Sequence, residues 1–160
     1  MDVILELQRQ INALKKRNDR LDTGRPVMAQ ITPLGGLAVK LTAGEALAEG
    51  EIVQITQGAG GADLTVFKNA VDGDMPIGAV YKAASINTSV WVVVSGVGYV
   101  LPDAADTTTR GYIIYSSAST AGRVDSSATI PLVALHNREV GHLLEGAAAG
   151  VKARAILHFN

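Results

Sequence analysis

The chain has 160 residues, of which 48% are apolar but only 4% aromatic, with 17 glycines, no cysteine and a net charge of −1. That composition excludes disulfides and thiolate metal sites, and it gives no electrostatic reason to expect a nucleic acid partner. Length allows one domain with a real core plus an appendage, and abundant small and β-branched residues suit thin, tightly packed sheets.

The first segment, residues 1–24, reads as a coiled-coil helix. Ile4, Ile11 and Asn18 fall at a positions and Leu7, Leu14 and Leu21 at d positions of a heptad repeat, while Glu6, Arg9, Lys16, Asp19 and Arg20 make a solvated opposite face. The stripe predicts either sister helices or docking on the body. The narrow seam favours sister helices, as does Arg17 at g, five residues before Asp22 at e. Ile at a with Leu at d leans toward a dimer, and Asn18 sets register at some cost in stability. Three heptads alone are marginal in water, so the helix needs the body's help. Thr23-Gly24-Arg25-Pro26 is a helix stop and the boundary to a second domain, residues 25–160.

From there the pattern is strand after strand. Segments 27–31, 37–41, 52–56, 64–67, 77–81, 89–101, 111–116, 130–135, 139–144 and 153–159 alternate or run apolar between Gly- and Pro-rich turns. The fold class is therefore mainly β, a compact antiparallel sandwich or barrel behind a coiled-coil helix. Residues 42–49 read as a loop, residues 58–63 as a hairpin tip, and no internal repeat of solenoid length is visible. The apolar run 90–101 is too short to span a bilayer and contains Gly96 and Gly98, and Met1-Asp2 does not begin a leader; a soluble chain is expected.

No catalytic motif is present. Val94-Ser95-Gly96-Val97-Gly98 lacks the leading glycine of a nucleophile elbow, and Ser-x-x-Lys, Walker A and His-Glu-x-x-His patterns are missing. The three histidines are His136, His142 and His158. If residues 136–142 were all strand, His136 and His142 would share a face but lie too far apart for one ion, so polar tips at strand ends are expected and no metal or cofactor. Trp91, Tyr99, Tyr112 and Tyr115 are scattered without interleaved basic residues; no base-stacking platform is expected, and Trp91 reads as a core anchor.

Gly44-Glu45-Ala46-Leu47-Ala48-Glu49-Gly50-Glu51-Ile52-Val53 resembles the opening motif of small phage capsid decoration proteins. Pro76-Ile77-Gly78-Ala79-Val80, Ser119-Thr120-Ala121-Gly122-Arg123, Glu139 to Glu145 and the closing Ala153 to Asn160 continue the likeness over most of residues 27–160. The N-terminal heptads look more like a head fibre or a tail-fibre segment. The resemblance implies a β-rich, enzymatically inert virion protein, a homotrimer meeting the major capsid protein on the capsid surface, with no membrane or nucleic acid partner. It favours trimer over dimer, since a trimer suits local threefold points of a capsid lattice. The alternative is a tail-fibre or receptor-binding segment, with sugar as a candidate ligand.

Overall fold

Alternation of buried and exposed side chains, clearest over residues 153–158, lets a short segment pair as a strand with one face inward. A computed structural model describes residues 28–55, 64–71, 75–104, 108–129 and 133–159. The expected coiled coil over 1–24, with its seam of Ile4, Leu7, Ile11, Leu14, Asn18 and Leu21, lies outside the described residues, as do the boundary at residue 25 and the tip at 58–63.

The body is mainly β. Among the described residues its strands are β1 (Ala29–Ile31), β2 (Leu37–Ala43), β3 (Ile52–Gln54), β4 (Thr65–Lys68), β5 (Gly78–Val80), β6 (Ser89–Val100), β7 (Ile113–Ser116), β8 (Val124–Ser127), β9 (Glu139–Leu143) and β10 (Ala153–His158). They form one ten-stranded sheet in the order β1-β2-β4-β3-β5-β6-β10-β9-β7-β8, with β2 also paired to β6. The extra pairing closes β2, β4, β3, β5 and β6 into a ring, a small barrel. A second ring runs β6-β10-β9-β7-β8 and closes through a parallel bridge between Pro102, just past β6, and Val124 of β8.

The two rings repeat one plan, with β6 shared. In the first, Ile52 pairs Ala79, and Ala79 and Val80 pair Val93 and Val92. In the second, Ile113 pairs His142, and His142 and Leu143 pair Ile156 and Ala155. The turns match as well: the bridge Leu47–Ala84 answers Thr108–Ala147. Gly50 and Gly111 have φ of 85° and 86°, a left-handed conformation that glycine adopts without strain. Each donates its N–H to the carbonyl of the equivalent strand residue, Val80 at 2.8 Å and Leu143 at 2.9 Å. The body is thus a duplicated unit, with a period longer than that of a solenoid repeat.

The interiors repeat too. Val53, Val66, Val80, Val90 and Val92 are buried inside the first ring, and their counterparts Ile114, Val124, Leu143, Ala153 and Ala155 inside the second. Small and β-branched side chains fill such narrow interiors, and each buried Val or Leu contributes about 1.5–3 kcal/mol. One row differs. Ala38, Val93, Ala79 and Ile52 on the outer face of the first ring are buried in the cluster that includes the second ring's interior. The equivalent row of the second ring, Val97, Ile156, His142 and Ile113, is half-buried or exposed.

Three further expectations need correcting. The sheet is mixed, because β2 and β4 run parallel. In the segment expected as a strand at 130–135, residues from Val133 onward belong to a 3-10 turn, Val133–Arg138. And β8, Val-Asp-Ser-Ser, was not expected; it carries one buried apolar side chain and forms because β7 offers it a partner along its length. The long apolar run is one strand, β6, with Gly96 inside it.

Candidate functional site

The residues that carry most of the chemistry gather at one end of the second ring. Glu139 opens β9 and His142 lies three residues later. In a regular strand that spacing puts two side chains on opposite faces. Here the pairing of β7 with β9 slips between Ile114, opposite Gly141, and Tyr115, opposite Glu139. That bulge places an extra residue at Val140, which points inward and is fully buried. Bulges re-aim side chains, and this one brings Glu139 round to His142.

Gly141 makes the bulge feasible. Its φ is 152°, and a Cβ there would run into the carbonyl of Ile156. Across the hairpin His142 faces Ile156, so His158, two residues on, projects from the same side of β10. The 3-10 turn delivers His136 from the other side.

All three histidines therefore converge on one carboxylate. His158 Nε2 lies 3.5 Å and His142 Nε2 3.9 Å from Glu139 Oε1, and His136 Nδ1 lies 3.5 Å from Glu139 Oε2. The rings of His142 and His158 stand 5.2 Å apart, tilted by 40°. The Glu139 side chain is only 11% exposed, whereas the imidazoles are 41–48% exposed. Arg138, next in the chain, turns away: it is buried and donates to Ser116, Nε to Oγ at 3.2 Å and Nη2 to the carbonyl at 2.9 Å. Glu139, His142 and His158 each offer one donor atom, all within 4.8 Å of one another, a donor set able to hold a divalent cation or to share a proton.

Spacing along the chain hides this cluster, because a regular strand over 136–142 would hold His136 and His142 apart and His158 joins them only through the pairing of β10 with β9. Both β9 and β10 were legible, and pairing them as a hairpin was the signal that brings His142 and His158 together.

The acids of the 44–53 motif have a different role. Glu45 Oε1 accepts the Lys68 N–H at 2.8 Å. Buried Glu51 accepts the Ala48 N–H at 2.7 Å through Oε2, and its Oε1 lies 3.3 Å from Lys68 Nζ. Both carboxylates tie the turn to the end of β4. Similarly, buried Asp103 Oδ2 accepts Ser117 Oγ at 2.9 Å and Ser119 Oγ at 2.7 Å, which holds the turn through Ser119-Thr120-Ala121-Gly122-Arg123. At the surface, Arg154 donates to Glu145 through Nε at 3.0 Å and Nη2 at 2.8 Å, and these bonds hold the Glu145 carboxyl below the usual carboxylate range. Trp91 is half-buried, packed against the edge of the core.

The fold so described is a duplicated β body of two fused small barrels. It is similar to the crystal structure of the head fiber gp8.5 N base in bacteriophage phi29, with a TM-score of 0.56 at 13% identity over 75% of this chain and 92% of that one. No protein-family model matches the sequence, and no curated protein matches it.

Proposed function

We propose that the chain is a structural protein of a phage virion, of head-fibre type, which sits on the outer capsid as a homotrimer and has no catalytic role. The observation that carries this reading is the likeness to a head fibre base, extending over 75% of this chain and 92% of that one at 13% identity. The heptad seam from Ile4 to Leu21 supports self-association. So does the place where the chain joins the body: Met28, Ile31 and Leu37 are exposed there, with Ile31 and Leu37 paired across β1 and β2. Three copies brought together by the helix would cover these side chains. The partners are then two further copies and the major capsid protein, since a trimer meets three equivalent surfaces at a local threefold point.

Light scattering on the full chain, followed by co-sedimentation with heads lacking it, tests the proposal. The expected result is three times the chain mass and saturable co-sedimentation. A monomer that stays in the supernatant overturns it.

A further inference from the structure

Beyond that structural role, we propose that Glu139, His142 and His158 form a site for one first-row divalent cation of the zinc class, which pins the C-terminal strand β10 to the bulged start of β9. In a tetrahedral zinc site with bonds near 2.0–2.1 Å, donor atoms stand about 3.4 Å apart. His158 Nε2 and Glu139 Oε1 are at 3.5 Å, and His142 Nε2 is at 3.9 Å from the same oxygen. Small rotations of the two half-exposed imidazoles close the difference, while the largely buried carboxylate is already fixed by the bulge.

Two borderline imidazole nitrogens outnumber the one hard carboxylate oxygen. They select zinc, cobalt or nickel over calcium and magnesium, which take sets of oxygen ligands. Three protein donors leave the fourth position to water. His136 Nδ1, 3.5 Å from the second oxygen of Glu139, completes the arrangement by orienting the carboxylate.

The site belongs to the second ring alone. The counterpart of His142 in the first ring is Ala79, so the duplication itself does not require it. Because the three donors sit on β9 and β10 and His136 on the turn before β9, a bound ion adds a tie on the outer face of a hairpin that backbone pairing and the core side chains already join.

Untagged full-length protein, stripped with a chelator, is titrated with zinc by calorimetry and with cobalt by visible absorption. One equivalent of zinc should bind, and cobalt should give the intense visible bands of a tetrahedral site. Calcium and magnesium should give no heat. At a hundredfold excess over Kd, zinc should raise the unfolding midpoint by about 5–10 °C. His142→Gln and His158→Gln, exposed enough to keep the fold by circular dichroism, should each weaken zinc by tenfold or more, and His136→Gln by about tenfold. No stoichiometric zinc, binding that survives both His142→Gln and His158→Gln, or calcium bound in preference to zinc would each overturn the proposal.

Discussion

At the scale of single residues, Gly141 bears the heaviest constraint in the second ring. Only a residue without a Cβ fits against the Ile156 carbonyl, and φ of 152° is a region L side chains rarely adopt. Gly141→Ala should therefore cost about 2 kcal/mol or more in urea unfolding, because strain and overlap add. An unchanged midpoint would contradict the bulge. Glu51 poses the opposite problem, a buried acid whose partners are the Ala48 N–H and Lys68 Nζ. Glu51→Ala removes the acceptor from that N–H and should cost about 1–3 kcal/mol, read by the same unfolding curve. The glycines and acids of the 44–53 motif were legible as a pattern. Their purpose was not, since Glu45 and Glu51 act through Lys68 and Glu49 through Lys152, both distant in sequence.

Among the elements, β10 separates inside from outside most clearly. Leu157 is 1% exposed and its neighbour Ile156 is 45% exposed. Leu157→Ala should lose about 2–5 kcal/mol, while Ile156→Ala should stay within about 0.5 kcal/mol; equal losses would mean that the strand is misregistered. At the surface of the same hairpin, Glu145 is held ionised by Arg154. A carboxyl lowered in the folded state stabilises above its unfolded value and loses that contribution as pH falls through the folded one. Arg154→Ala should move the Glu145 titration, followed by NMR, upward toward the ordinary carboxylate range, with little change in stability at neutral pH. A titration that does not move would exclude the pair in solution. The strand at 153–158 was legible because its own alternating side chains decide its faces. β8 was not, because Val124-Asp125-Ser126-Ser127 is polar and its pairing comes from β7. The apolar residues of 130–135 read as strand by propensity, yet from Val133 onward they turn in a 3-10 helix that delivers His136.

For the whole molecule, the duplication was hidden because little beyond turn glycines and a buried apolar character survives in both halves. Gly50 matches Gly111 and Gly78 matches Gly141, but Ala79 answers His142 and Glu51 answers Tyr112. Packing in a narrow interior tolerates Val, Ile, Leu or Ala at equivalent places, so side-chain identity drifts while register holds. The histidine cluster was illegible for a related reason: it depends on a bulge and a cross-strand pairing, neither of which shows in the spacing along the chain.

Association belongs to this scale as well. Ile31, 69% exposed on β1, contributes little to the fold of one chain. On the proposed trimer with β1 at its interface, Ile31→Lys should shift the light-scattering mass from trimer toward monomer at low concentration while the circular dichroism of the fold is kept. A trimer as tight as the parent would move the interface away from β1.

The central claim, that this is a head-fibre type protein of the capsid surface, is tested most directly by gold-labelled antibody against the 28–160 body on intact phage particles viewed by electron microscopy. The account predicts gold distributed over the head at many points. Gold confined to the tail, or none on intact particles, would contradict it.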